Sequence, residues 1–215
     1  MINLKNQFIV LEGICCSGKT TYSNLLSKVL HKYNIEVMYN HGAMTYTDIG
    51  REFYDVTSKM DTSISSIYYF VDLIINTNNV IRPALLNSNR ILIQDRYYDS
   101  VTTYTCAYGK FVNENLDIYR IADVLIENNY LVVPDIEVFC IPPYEIIENR
   151  MANSKSTKVH DFYRKKPEFL RFVYEELIFR ANNTIDPIIV DTNDEKSIFD
   201  SQEKILHKLG LIEIF

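Results

Sequence analysis

The sequence predicts an α/β fold, a doubly wound five-stranded parallel sheet, from three observations. Short runs rich in strand-forming residues occur at 7–12, 35–39, 90–95, 135–141 and 187–191. Helical patterns separate them, so the strands are joined by crossovers, run parallel and carry helices on both faces. A glycine turn, Gly13 to Gly18, joins the first strand to the first helix.

Each element follows in order. Gln7-Phe8-Ile9-Val10-Leu11-Glu12 is apolar through its middle and meets Gly13 at once, as a buried strand entering a turn does. After Lys19-Thr20-Thr21, apolar side chains recur at Tyr22, Leu25, Leu26, Val29, Leu30 and Tyr33, a spacing that lays one helix face on a sheet. Residues 35–39 form the second strand. Helices are predicted over 48–59 and 62–88, the latter kinked or broken at Pro83, which cannot continue the hydrogen-bond ladder. Arg90 to Asp95 is the third strand and ends in a carboxylate. Helices near 98–108 and 114–130 lead to the fourth strand, 135–141, closed by Pro142-Pro143. A helix over 144–151 precedes a polar, basic stretch, 152–166. A helix at 167–181, the fifth strand at 187–191 and a closing helix at 195–209 complete the pattern. No repeat or linker divides it, so 1–215 reads as a single domain.

Composition narrows the function. Lys and Arg number 22 against 28 Asp and Glu, and the net charge of −6 argues against a non-specific nucleic-acid or anionic-membrane binder. A polyanionic ligand must therefore meet a local basic site. Hydrophobic residues at 47% and charged residues at 23% exclude disordered and low-complexity classes. The richest apolar stretch, Ile67–Ile75, contains Asp72 and falls far short of the roughly 20 residues that cross a bilayer. No export signal precedes the first strand, so a cytoplasmic location is expected. The 4 cysteines, Cys15, Cys16, Cys106 and Cys140, have no CxxC spacing, which favours reduced thiols over zinc or disulfides.

The motif that carries chemistry is Gly13-Ile14-Cys15-Cys16-Ser17-Gly18-Lys19-Thr20, a GxxxxGK[ST] match with a strand before it and a helix after it. Only 6 glycines occur in 215 residues, and two stand at the two required positions. They let the backbone turn its N–H groups inward around a polyphosphate. Lys19 is placed to reach the β- and γ-phosphates, and the Thr20 hydroxyl to bind Mg2+. Kinases, ATPases and GTPases share such a loop. The guanine-switch class is set aside because the chain has neither an NKxD nor a DxxG sequence of that kind. Asp95, at the end of the third strand, is the expected carboxylate beside the loop, holding a metal-bound water or accepting a proton. A strand-end cap is the plainer alternative. Arg96 after it suits a second phosphate through its bidentate fork, which suggests a phosphorylated acceptor; a surface salt bridge is the plainer alternative there.

Along most of its length the chain resembles the thymidylate kinase family of nucleoside monophosphate kinases. The resemblance rests on Phe8 through Gly13 with Ser17-Gly18-Lys19-Thr20-Thr21, and on Asp95-Arg96-Tyr97 followed by Ser100 and Thr103-Tyr104, which is similar to the family's DR[YH]xxSxxAY. Val80 to Leu85, Pro134-Asp135, Pro142-Pro143 and Glu148-Asn149-Arg150 keep the family's order. The resemblance implies MgATP as donor, with Gly13, Ile14, Cys15, Cys16, Ser17, Gly18, Lys19, Thr20 and Thr21 around its phosphates. Arg150 would flank the adenine, and Thr20 and Asp95 would serve the metal. It implies a nucleoside monophosphate acceptor, dTMP as the first expectation. Arg96 would hold the acceptor phosphate, with Glu12, Tyr69, Phe70, Tyr97, Ser100 and Tyr104 around the acceptor. The stretch 152–166 becomes a mobile lid with Lys155, Lys158, Arg164, Lys165 and Lys166. Cys16 stands where some members carry a loop arginine, so Arg164 is expected to bring the catalytic positive charge. The family is commonly dimeric, which implies a homodimer.

Three positions depart from the family. Cys15 stands where Asp is usual, the segment 40–45 lacks an expected Arg, and Leu73 occupies another expected Arg position. Such replacements change the acceptor or weaken its binding. Two alternatives stay open: a kinase of a deoxynucleoside or other hydroxyl acceptor, with Asp95 or Glu12 as base, and a nucleotide-binding protein with a degraded acceptor site. Thiols near a helix N-terminus can be acidified, so Cys15 and Cys16 raise the expectation of an oxidation switch, although small side chains filling a tight loop are the simpler reading.

Overall fold

The structure, a computed structural model, describes residues 7–41, 62–86, 90–114, 118–155 and 158–212. Strands β1 (Phe8–Glu12), β2 (Glu36–His41), β3 (Arg90–Asp95), β4 (Ile136–Cys140) and β5 (Ile188–Val190) form one parallel 5-stranded sheet in the order β2-β3-β1-β4-β5. The helices are α1 (Lys19–Lys32), α2 (Thr62–Asn76), α3 (Arg82–Leu85), α4 (Tyr98–Val112), α5 (Tyr119–Glu127), α6 (Tyr144–Asn153), α7 (Lys158–Lys165), α8 (Pro167–Asn183) and α9 (Glu195–Lys208). The doubly wound architecture predicted from the sequence is the one observed, with β1 at the centre.

Strand alternation sorts the side chains. Ile9, Leu11, Ile91, Ile93, Val138 and Val190 share one face with Leu26 and Leu30 of α1 and with Ile205 and Leu206 of α9. Phe8, Val10 and Leu92 turn to the other face, where Phe70 and Leu73 of α2 meet them. Further along that face Phe139 packs with Ile147 of α6 and Val173 and Leu177 of α8. Helices cover both sides, which is why β1 is apolar throughout and buried throughout.

Several boundaries differ from expectation for identifiable reasons. The helix predicted over 62–88 breaks just upstream of Pro83, in a π-turn at Thr77–Ile81 closed by the Arg82 N–H donating to the Thr77 carbonyl. Pro83 offers no N–H, and the widened turn accommodates the missing rung. The second strand continues past residue 39 to His41 because parallel pairing with β3 carries it on to face Asp95. The basic stretch at 152–166 is largely helical: α6 runs on to Asn153, and α7 occupies Lys158–Lys165. Tyr163 of α7 stacks on Phe169 of α8, ring centroids 5.9 Å apart, and Phe162 meets the same ring edge-on. Aromatic burial thus packs the segment down. The helix predicted over 48–59 lies outside the described residues. Among the described residues no helix is long and apolar enough to cross a membrane.

Candidate active site

The phosphate loop leaves the carboxyl end of β1. A Cβ on Gly13 would fall 2.5 Å from Ser17 Oγ and 3.0 Å from the Cys140 carbonyl, so only glycine fits that approach. Gly18 is left-handed at φ +89, and a Cβ there would come within 2.6 Å of Thr192 Oγ1. Helix α1 starts at Lys19 with no acidic side chain in its first turn, leaving its positive end open to an anion. Ser17 Oγ is buried without a hydrogen-bond partner. Residues Cys16 to Thr21, with Arg150 and Thr192, line an open cleft of about 380 Å³.

Lys19 lies folded into this loop. Its Nζ donates to the Gly13 carbonyl at 2.8 Å and the Ile14 carbonyl at 3.1 Å, and stands 3.8 Å from Asp95 Oδ1. Burial, helped by the charge on Arg96, pushes its pKa down, while Asp95 opposes the shift.

Pairing of β1 with β3 brings Asp95 level with Leu11, immediately before the loop. Asp95 Oδ2 accepts from the Tyr39 hydroxyl at 2.7 Å and from His41 Nδ1 at 3.1 Å. Oδ1 is buried and has no hydrogen-bond partner. Burial alone would raise this carboxyl's pKa, but the His41 contact, the charges of Lys19 and Arg96 and the Tyr39 hydroxyl outweigh it and hold the group well below the usual carboxylate range. Arg96 follows in a left-handed turn at φ +70, its N–H donating to the Leu11 carbonyl at 2.9 Å. That conformation costs a non-glycine residue about 1 kcal/mol or more. It aims the guanidinium back over the loop, with Nη1 3.2 Å from Tyr104 Oη, Nη2 3.7 Å from Cys15 Sγ and Cζ 5.2 Å from the Tyr104 ring centroid.

The structure therefore brings together the loop residues 13–21, Asp95, Arg96, Tyr104 and Arg150. Arg150 reaches from α6 to the Cys16 carbonyl at 3.4 Å and to Thr192 Oγ1 at 3.1 Å. Other expected contacts point elsewhere. Glu12, predicted at the acceptor, is fully buried and accepts from the Tyr97 N–H at 2.8 Å and from the Ser100 hydroxyl. It is a strut between the base of the loop and the start of α4. Tyr97 has no exposed surface, and its hydroxyl meets Thr77 at 3.0 Å and accepts from the Val132 N–H at 3.1 Å. It cannot stack on a base. Ser100 is likewise spent on Glu12. Phe70 is 2% exposed within the core cluster of Leu73 and Tyr97, and Tyr69 packs partly buried against that cluster.

Arg164, expected to bring the catalytic charge, is engaged at the end of α6 in this structure. It donates to the Met151 carbonyl at 2.9 Å and to the Ser154 carbonyl at 2.6 Å, and pairs with Asp161 at 2.8 Å. Its fork closes the carboxyl end of α6, where helix carbonyls lack partners. The expected acidification of Cys16 is also reversed: burial, with Cys15 beside it, raises its pKa, and its Sγ lies 4.0 Å from Met151 Sδ. Sequence reasoning did not name Tyr39, His41 or Thr192, which the structure places against Asp95 and Arg150. A signal existed for Thr192, which follows the last strand directly, but the β2 pair depends on a register that one sequence does not print.

A cradle for phosphates at a helix start, a carboxylate at the end of the adjacent strand and an arginine beside it define a P-loop phosphotransferase of the nucleoside monophosphate kinase class. A family model described as Thymidylate kinase matches residues 11–205. The chain is 31% identical over 219 residues to a thymidylate kinase of Prochlorococcus marinus (strain NATL2A), covering 96% of this chain and 95% of that one. It is 26% identical to a thymidylate kinase of Desulfotalea psychrophila, with the same coverages. It is 29% identical to a probable thymidylate kinase of Methanocaldococcus jannaschii, covering 94% of each. The chain belongs to the thymidylate kinase family.

Proposed function

We propose that the chain transfers the γ-phosphoryl group of MgATP to dTMP, giving dTDP and ADP. The observation that carries this reading is the cleft of about 380 Å³ at the start of α1, lined by the loop, with Asp95 Oδ1 buried beside it, free of hydrogen bonds and 3.8 Å from Lys19. Family membership supplies the acceptor.

The residues present fit a magnesium ion held in the usual sparing way, by one hydroxyl, one carboxylate, water and phosphate oxygens. Among the described residues no cluster of three or more His, Cys, Asp or Glu forms a dedicated metal cage. When bound, the ion supplies charge neutralisation at the β- and γ-phosphates. Thr20 and Asp95 would hold it. Lys19 would leave the Gly13 and Ile14 carbonyls for the phosphates, while the loop amides orient them in line with the acceptor. Arg96, kept protonated and held by Tyr104, would clamp the acceptor phosphate. Arg150 and Thr192 would border the donor at the loop's outer edge. The hydroxyl-acceptor alternative lacks a base here: Glu12 is sealed beneath the loop, and Asp95 is held too acidic to take a proton efficiently. The homodimer implied by the resemblance belongs to this proposal, supported by Ile67 and Val71, exposed on α2.

A coupled ADP-release assay tests it, run with MgATP against dTMP, other nucleoside monophosphates and thymidine, with Lys19→Ala as control. Turnover on dTMP that falls about 10³-fold in Arg96→Ala, with ATP binding kept, is the expected result. Turnover on thymidine alone would overturn it.

A further inference from the structure

The last three residues of β2 do more than extend the sheet. The register places His41 level with Asp95 and Asn40 level with Gln94. Alternation then sends Tyr39 and His41 to one face and Asn40 to the other. On the first face, the Tyr39 hydroxyl and His41 Nδ1 both donate to one oxygen of Asp95, at 2.7 and 3.1 Å. A carboxylate oxygen only accepts, so Nδ1 carries the proton. The two rings lie nearly parallel, 17° apart, and brace each other. On the second face, Asn40 Nδ2 donates to Gln94 Oε1 at 2.6 Å, and Gln94 Nε2 donates to the Arg96 carbonyl at 2.8 Å.

We propose that Tyr39 and His41 are positioning residues that hold Asp95 by its Oδ2, so that the other oxygen, Oδ1, stays turned toward Lys19 and the metal-phosphate site. Two observations separate this from ordinary packing. Oδ1 is left buried with no hydrogen bond, facing the Lys19 ammonium at 3.8 Å. The His41 side chain is 61% exposed, so its contact with Asp95 is not a by-product of burial. Both donors converge on one oxygen and divide the carboxylate into a held end and a free end. Outer partners of this kind set the aim of a metal-side carboxylate, and losing them typically lowers metal affinity or activity about 10–100-fold.

The inference rests on the reading of Asp95 as the metal-side carboxylate, and its test is made without the acceptor. ATP affinity is measured by calorimetry with Mg2+ and with a chelator, for wild type, Asp95→Asn, His41→Ala, His41→Asn and the Tyr39→Phe/His41→Ala pair. The expected result is that the gain in ATP affinity from Mg2+ falls at least about tenfold in the double variant, as in Asp95→Asn, while metal-free ATP affinity stays within about twofold. His41→Asn puts an amide N–H where Nδ1 was and restores the gain that His41→Ala loses. If the double variant keeps the full gain, or Asp95→Asn itself does, the proposal is wrong. An equal loss of metal-free affinity would also overturn it, since that would mark general damage to the loop. Should the double variant fail to fold, the His41 pair alone decides, because that side chain is mostly exposed. Absence of turnover on dTMP would sink the proposed function and leave the calorimetric result standing.

Discussion

The two faces of the central sheet, both apolar at their centres, differ in how much polar material they bury. Toward α1 and α9 the face is hydrocarbon: Ile9, Leu11, Ile91, Ile93, Val138 and Val190 under Leu26, Leu30 and Ile205. Toward α2, α4 and α8 it buries Glu12, Gln94, Asn40, Asn76, Thr77 and Asp99. There Arg180 of α8 pairs with Asp99 of α4, the Tyr98 hydroxyl donates to Glu137 of β4 at 3.0 Å, and Ser66 of α2 meets Thr105 of α4 at 2.6 Å. Apolar contacts are non-directional and tolerate small slippage, whereas a buried hydrogen bond is lost when its partner moves. The drier face therefore contributes mainly packing and the polar pairs of the other face fix α4 and β4 against α2 and α8, while Asp95, on the drier face by alternation, is held there by Tyr39 and His41.

Four measurements test that division, from the largest expected effect to the smallest. Asp99→Ala leaves Arg180 without its buried partner, and urea unfolding should show a loss of about 3–5 kcal/mol. A loss under 1 kcal/mol would mean the polar face is not an integral network. Leu26→Ala empties part of the dry face and should cost about 2–5 kcal/mol in the same experiment, with KM for both substrates unchanged below the melting transition. A raised KM would show that the hydrocarbon face also aims the site.

The third test uses pH. Burial, reinforced by Asp99, raises Glu12 from 4.5 to about 8, and burial with the same neighbour raises Glu137 from 4.5 to about 7. The folded state keeps protons that the unfolded chain releases near 4.5, so this contribution to stability is complete below that pH and is lost as pH rises through the folded values. Melting temperature should fall between about pH 5 and pH 8, and Glu12→Gln should flatten the upper part of that decline. A profile that rises across the window contradicts the assignment. Smallest is Thr192→Val, which removes hydrogen bonds to the Ser17 carbonyl at 2.5 Å and from Arg150 at 3.1 Å. It should cost about 1 kcal/mol and raise the KM for ATP several-fold, leaving that for dTMP alone.

Much of this was legible in the sequence, and the remainder divides by physical cause. The central strands could be read because burial on both sides makes them continuous apolar runs, and the phosphate loop because its glycines answer a steric demand local in sequence. Asp95 and Arg96 followed from the same local logic. Glu12, Tyr97 and Ser100 face the interior, Glu12 by strand alternation and the other two at the start of α4 where they meet it or the core, a direction that a motif does not name. The contacts of Arg164 could not be read because its partners are main-chain carbonyls at the end of α6, which no residue type announces. Tyr39 and His41 were missed because their role exists only through the pairing of β2 with β3.

The resting posture of Lys19 has a consequence for turnover. Its ammonium already has two carbonyl partners inside the loop, so an arriving nucleotide gains only the difference between its phosphates and those carbonyls, not the whole strength of a charged contact. The same carbonyls are waiting when the product leaves. The loop thus carries its own competitor for the ammonium, and a phosphate bound there gains only what exceeds those two hydrogen bonds.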